Sequence, residues 1–85
     1  MEKLNKKELA IVIGKILRKY REEKKLSQEE LGFRSNLHRT YIGMIERGEK
    51  NITIYTLLIL LRGLDVELEE FCKDFLIEFK STQKL

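Results

Sequence analysis

The chain has 85 residues, one cysteine and no proline, so one domain with one core is expected and a disulfide framework is excluded. Its longest apolar run, 57–61, is far shorter than the roughly 20 residues of a membrane-spanning helix, and charges interrupt any signal-peptide core, so we expect a cytoplasmic protein. The net charge of +3 is uneven: residues 1–50 carry 13 Lys and Arg against 8 Asp and Glu (+5), and residues 51–85 carry 4 against 6 (−2). A basic half suits a polyanionic partner.

The first predicted helix covers residues 8–24. Apolar residues recur there with helical spacing, at Leu9, Val12, Ile13, Ile16, Leu17 and Tyr20. The preceding residues 1–7 are polar and rich in lysine, and we expect them to be frayed.

Two short helices joined by a tight turn are predicted next. Ser27 followed by Glu30 is the capping-box pattern that marks a helix start. This helix should end at Ser35 and Asn36, because both side chains compete for backbone hydrogen bonds and Asn36 tolerates a left-handed conformation. A second helix should begin near His38 and end at Gly48, a residue suited to the position after a helix. The pattern predicts a helix-turn-helix.

The second of these short helices has two different faces. Leu37, Ile42 and Ile45 lie on a side that belongs to a core. The free face carries His38, Arg39, Thr40, Gly43, Met44 and Arg47, with Tyr41 at its border. Such a face can enter the major groove of DNA, where base edges present distinct donors and acceptors. An ordinary exposed polar helix is the alternative.

The fourth predicted helix begins after Thr53 as its cap and ends at Gly63. Its expected inner stripe is Ile54, Leu57, Leu58 and Leu61, and Ile59 and Leu60 make it apolar almost all round. A helix that is apolar on every side is buried twice, here by the core and by a partner.

The fifth predicted helix covers residues 67–79, and a polar, disordered tail is expected over 80–85. Its apolar side chains recur along one face, at Leu68, Phe71, Cys72, Phe75, Leu76 and Phe79. We expect Cys72 to be a small core residue. Three phenylalanines exceed what a small core needs, so we expect a homodimer that uses residues 54–79. The candidate interface residues are Ile59, Leu60, Leu68, Phe71, Phe75 and Phe79. In the alternative, the phenylalanines fold back onto Ile11, Leu58 or Leu60 of the same chain.

Residues for catalysis are lacking. The only histidine and the only cysteine lie far apart in the sequence, without metal-ligand spacing, and there is no glycine-rich phosphate loop. We therefore expect no enzymatic activity, metal, cofactor or small-molecule ligand.

The motifs LSQEEL at 26–31, YIGMIERG at 41–48 and NIT at 51–53 resemble the lambda-repressor and Cro family of helix-turn-helix proteins. The similarity runs from about residue 13 to residue 71. Within that family, the stretch SNLHRTYIGMIERGEKNIT at 35–53 is most similar to the controller proteins of restriction–modification systems, which are small dimeric transcription regulators. The chain departs from the family pattern at Gly32, where alanine is usual, and at Asn36, where glycine is usual.

The resemblance implies roles for individual residues. Candidate base contacts are His38, Arg39, Thr40, Tyr41 and Met44. Candidate phosphate contacts are Ser27, Gln28, Arg47, Lys50, Asn51 and Thr53. Arg39 can fork onto the O6 and N7 atoms of guanine. The family also implies a buried ion pair between Arg21 and Glu46 that ties the first helix to the DNA-reading helix.

Together, these features predict an all-α protein of five helices, a single DNA-binding domain over residues 1–85 with its helix-turn-helix at 27–47. We expect a homodimer that binds a two-fold symmetric operator in double-stranded DNA and regulates a restriction–modification operon from its own promoter. The alternatives are a phage or plasmid repressor or an antitoxin of the same fold, and a helical interaction domain that binds no DNA.

Overall fold

The computed structural model describes residues 4–83, and every regular element in that range is an α-helix. The helices are α1 Lys6–Glu23, α2 Gln28–Ser35, α3 Arg39–Glu46, α4 Ile54–Leu64 and α5 Leu68–Gln83. The all-α, five-helix prediction is confirmed. Of the predicted frayed ends, residues 1–3 and 84–85 lie outside the described residues.

Helix α1 begins two residues earlier than predicted because Asn5 caps it. The Asn5 Oδ1 atom accepts hydrogen bonds from the backbone N–H groups of Lys7 at 2.9 Å and Glu8 at 3.1 Å. These bonds satisfy donors that a helix start leaves unpaired.

One core joins the helices. Its fully buried larger side chains are Ile16, Leu17, Tyr20, Leu31, Ile42, Ile45, Leu60 and Leu64. They come from α1, α2, α3 and α4, and Val66 and Phe71 extend the core to the start of α5. The helix-turn-helix is therefore fixed by the same apolar contacts that stabilise the domain.

The predicted inner face of α4 is partly wrong. Leu57 and Leu61 are buried as expected, but the other buried side chains are Leu60 and Leu64, whereas Ile54 is 69% exposed and Leu58 is 42% exposed. Because α4 is apolar almost all round, its hydrophobic spacing could not distinguish the face that packs inward. Leu60 is buried within its own chain, so its predicted place in a dimer interface is wrong.

Helix α5 packs along α1 and buries part of its phenylalanine stripe. Phe71 is only 5% exposed, so it belongs to the core and not to a dimer interface as predicted. Phe75 and Phe79 are half-buried, and the rings stack in series with centroid distances of 6.1 Å for Phe71–Phe75 and 5.3 Å for Phe75–Phe79. The alternative of folding back within one chain therefore holds for Phe71.

Two further expectations about α5 are wrong. The Cys72 side chain is exposed, although a core position was predicted, because Phe71 and Phe75 take the inward positions of this helix. The helix also continues to Gln83, beyond the predicted end at Phe79, because the polar residues that follow include no proline or glycine to stop it.

Helices α1 and α3 approach each other closely at Gly14. A Cβ atom built on Gly14 would lie 2.2 Å from the carbonyl oxygen of Ile45 and 3.0 Å from that of Glu46. Any larger residue would push these backbones apart, so Gly14 sets the position of α3 on the domain.

Candidate nucleic-acid interface

Both ends of α2 have the predicted hydrogen bonds and backbone conformation. The Ser27 Oγ atom accepts from the Glu30 N–H at 3.0 Å, and the Glu30 carboxylate accepts from the Ser27 N–H at 2.7 Å. Hydrogen bonding of the Glu30 carboxylate to Ser27, chiefly to its backbone N–H, lowers the pKa of Glu30. Asn36 ends α2 in the left-handed conformation, with φ of 58°. The predicted capping box and turn are confirmed.

The N-terminal end of α3 is open to solvent. His38, Arg39 and Thr40 are exposed, whereas Tyr41 and Met44 are half-buried. His38 also caps α3, a role that was not predicted from the sequence. Its Nδ1 atom accepts a hydrogen bond from the Thr40 N–H at 3.0 Å. The Nε2 atom of His38 is then left as the ring's donor.

The Arg39 side chain lies beside Glu29 of α2. Its Nη1 atom lies 3.7 Å from the Glu29 Oε2 atom, and both side chains are exposed. The two residues line a surface depression between α2 and α3, together with Gly32, Phe33, Asn36, Leu37 and His38. The sequence reading did not single out Glu29, because its contact with Arg39 depends on how the two helices pack.

A second group of polar side chains follows the C-terminal end of α3. Arg47 pairs with Glu49, with the Arg47 Nε atom 2.8 Å from the Glu49 Oε2 atom. The hydrogen bond between them raises the pKa of Arg47 and lowers that of Glu49. Lys50 and Asn51 are exposed in the following loop.

Thr53 acts mainly as a helix cap. Its Oγ1 atom accepts from the Thr56 N–H at 3.1 Å and donates to the Thr56 Oγ1 atom at 3.2 Å. Both interactions hold the start of α4, and the predicted Thr53 cap is confirmed. The Thr53 hydroxyl hydrogen is already used in this arrangement.

Arg21 and Glu46 form a buried ion pair between α1 and α3. The Arg21 Nε atom lies 2.6 Å from Glu46 Oε2 and its Nη2 atom lies 3.0 Å from Oε1, while Nη1 donates to the Leu26 carbonyl at 2.7 Å. The two side chains are 12% and 3% exposed. The hydrogen bond to Glu46 raises the pKa of Arg21. Such a bidentate pair fixes both position and orientation.

Gln28 connects this ion pair to the surface. Its Nε2 atom donates to Glu46 Oε1 at 3.0 Å, which leaves one N–H of the amide for another acceptor. A Cβ atom on Gly43 would lie 3.5 Å from the Gln28 Oε1 atom and 3.1 Å from the Arg47 Nη1 atom. The side chains of Gln28 and Arg47 therefore meet over Gly43, and the structure brings these two predicted phosphate contacts together.

Membrane-spanning helices and metal sites are absent from the described part of the chain. No helix within residues 4–83 is long and apolar enough to cross a membrane. The same range contains no cluster of three or more histidine, cysteine, aspartate or glutamate side chains that could hold a metal ion.

The sequence of this chain is similar to those of known helix-turn-helix proteins. The chain matches the helix-turn-helix family over residues 17–71. It is 48% identical over 54 residues to control protein C.SmaI of Serratia marcescens, a match that covers 64% of this chain and 64% of that relative's length. It is 37% identical over 60 residues to control protein C.BamHI of Bacillus amyloliquefaciens, covering 69% of this chain and 74% of the relative.

Solved structures agree with the sequence comparison. The restriction–modification controller protein C.Esp1396I superposes with a TM-score of 0.80 at 38% identity, covering 84% of this chain and 93% of that one. That controller has also been crystallised as a tetramer in complex with its natural 35 base-pair operator. The family match includes the whole of α2, the turn and α3, and the protein belongs to the helix-turn-helix family.

Proposed function

We propose that this protein is a transcription regulator of the restriction–modification controller type, which binds an operator at its own promoter as a dimer. The observation that carries this function is α3, a short helix with an exposed, polar N-terminal end, locked to the domain by the buried Arg21–Glu46 pair. The similarity to control proteins, and the operator complex of C.Esp1396I, support the same function. Its action requires no catalysis, and we place it in the cytoplasm.

The proposed base contacts lie on α3. Arg39 and Thr40 are exposed in its first turn, where a side chain can reach base edges in the major groove. His38 offers its Nε2 atom from the cap position. Tyr41 and Met44 are half-buried and present only part of their side chains, which suits packing against the groove wall or a thymine methyl group.

The proposed phosphate contacts lie at the start of α2 and after the end of α3. Gln28 and Ser27 lie at the start of α2, where free backbone N–H groups and the helix dipole favour an anion. Arg47, Lys50 and Asn51 follow the other end of α3, and Thr53 caps the next helix. Contacts from these residues to phosphates would fix the orientation of α3 in the groove.

The proposed dimer surface differs from the one expected from the sequence. Of the candidate residues, Ile59, Phe75 and Phe79 are half-buried and Leu68 is 46% exposed. Leu68 and Leu58 line one depression of about 290 Å³ at the α4–α5 junction. Tyr55 is 73% exposed and Leu76 is 55% exposed, so apolar surface continues along both helices. We place the dimer contact on this outer face of α4 and α5.

A footprint on the DNA upstream of the protein's own gene tests this function. We expect protection of two related half-sites whose centres lie about one helical turn, roughly 34 Å, apart. A methyltransferase and an endonuclease gene beside it would support the restriction–modification role. Protection of unrelated DNA elsewhere, with none upstream of the gene, would contradict control of its own promoter.

A further inference from the structure

Arg39 is not free in the isolated protein, because Glu29 of the neighbouring helix lies beside it. The shortest distance between their charged atoms, Arg39 Nη1 to Glu29 Oε2, is 3.7 Å, and the two side chains are 64% and 60% exposed. An exposed pair at this distance is weak and is screened by salt. Glu29 therefore restrains the guanidinium group without locking it.

Because the pair is weak, a group on DNA can replace Glu29 as the partner of the Arg39 guanidinium, and different groups do so with different ease. Guanine presents two acceptors, O6 and N7, in a geometry that matches the fork of an arginine side chain. A single phosphate at the groove edge competes less well, since the negative charge of Glu29 both holds the arginine and repels the phosphate. Without Glu29, the long Arg39 side chain could turn to the backbone of any DNA sequence.

We propose that Glu29 is a specificity-determining residue, which keeps Arg39 from phosphates on unrelated DNA and releases it only to a guanine edge. This role rests on the proposed DNA-binding function and deepens it. Glu29 acts through Arg39 and is a positioning residue, since it contacts the arginine and no base.

The test compares Glu29→Gln with the unchanged protein on two DNA duplexes, one recovered by selection from a random library and one scrambled. We expect the variant to bind the scrambled duplex up to about five-fold more tightly. The slope of log affinity against log salt on that duplex should steepen by about 0.9 for each Arg39 that gains a phosphate. Affinity for the selected duplex should change less, so the ratio of the two affinities falls.

Glu22→Gln is the matched control. It makes the same charge change and breaks a similar exposed pair on α1, where the Arg18 Nε atom lies 3.1 Å from Glu22 Oε2 with side chains 58% and 56% exposed. We expect this variant to keep the affinity ratio of the unchanged protein. Circular dichroism should show an intact fold for Glu29→Gln, because the capping box of α2 uses Ser27 and Glu30 and not Glu29.

The same substitution in an Arg39→Ala background separates the mechanism from general charge repulsion. If Glu29 acts through Arg39, then Glu29→Gln in this background should leave the affinity for each of the two duplexes unchanged. An equal rise in affinity for both duplexes, with or without Arg39, would overturn the proposal. An unchanged protein that prefers no DNA sequence would refute the proposed function itself, whereas a clear preference unaffected by Glu29→Gln would refute only the role of Glu29.

Discussion

At the scale of single residues, the position of α3 depends on a few buried polar and backbone contacts. Glu46 accepts from both Arg21 and Gln28, so one carboxylate on α3 connects to α1 and to the start of α2. The family resemblance implied the Arg21–Glu46 pair, but no sequence pattern indicated the third partner, Gln28. Nor did any pattern reveal Gly14, because only the distance between α1 and α3 shows that a side chain cannot fit there.

Gly32, like Gly14, lies where a side chain would contact a neighbouring backbone atom. Relative to alanine, a glycine inside a helix costs roughly 1 kcal/mol in flexibility. A Cβ atom at this position would, however, lie only 2.5 Å from the Leu37 carbonyl oxygen, inside the turn between α2 and α3. Here glycine therefore permits the close turn, and the departure from the family's usual alanine has a physical reason.

Removing the charge of Glu46 should destabilise the domain. In Glu46→Gln, Arg21 keeps its positive charge with only 12% of its side chain exposed and loses its counter-ion. We expect a loss of about 2–4 kcal/mol in the free energy of unfolding, measured by urea denaturation. The preferred DNA sequence should stay the same.

Glu22→Gln is the control, since it breaks an exposed pair and should cost less than about 1 kcal/mol. An unchanged urea midpoint for Glu46→Gln, together with an altered DNA preference, would show that Glu46 contacts DNA instead of anchoring α3.

At the scale of the helices, several caps and the buried faces of α1 and α3 could be predicted, whereas the buried faces of α4 and α5 could not. Ser27, Asn36 and Thr53 mark boundaries of α2 and α4 because each forms local hydrogen bonds or a special backbone conformation. The inward faces of α4 and α5 depend on how these apolar helices pack, and Leu60 and Phe71 therefore differ from expectation. The exposed N-terminal end of α3 was foreseen, but Gly43, which was expected on the free face, is buried beneath the side chains of Gln28 and Arg47.

The contact between α1 and α5 should make stability depend on pH in the alkaline range. The Tyr20 hydroxyl donates a hydrogen bond to the Asp74 carboxylate. Burial of the hydroxyl, and to a lesser extent this hydrogen bond, raise the pKa of Tyr20 above its ordinary value of about 10. Because the folded-state pKa is the higher one, its contribution to stability is complete below about pH 10 and is lost as the pH rises above it.

Tyr20→Phe should abolish this part of the pH dependence. We expect the free energy of unfolding to fall less steeply above about pH 10 in the variant than in the unchanged protein. Tyr55→Phe removes the same group from a tyrosine that is 73% exposed, and it is the matched control. An equally steep fall in Tyr20→Phe would contradict the assigned role of the Tyr20–Asp74 contact.

At the scale of the whole molecule, the outer face of α4 and α5 should join two chains. Leu68→Asp places a charge in the proposed contact, and we expect sedimentation at micromolar concentration to show a dimer for the unchanged protein and a monomer for this variant. Leu68 is 46% exposed, so the fold should survive, whereas a change at the half-buried Phe75 would confuse dimer loss with unfolding. Phe33→Asp, at a side chain 81% exposed on α2, is the control and should stay dimeric. A monomeric unchanged protein at high concentration would contradict the dimer.

The division between base reading and phosphate anchoring is tested most directly by a salt titration of Arg39→Ala and Lys50→Ala on selected and scrambled duplexes. Arg39→Ala should lose about 1–3 kcal/mol on the selected duplex and little on the scrambled one, because it removes a contact to bases. Lys50→Ala should weaken both duplexes alike and reduce the salt slope by about one unit for each lost phosphate contact. If Arg39→Ala instead weakens both duplexes equally, then the exposed end of α3 does not read the DNA sequence through this residue.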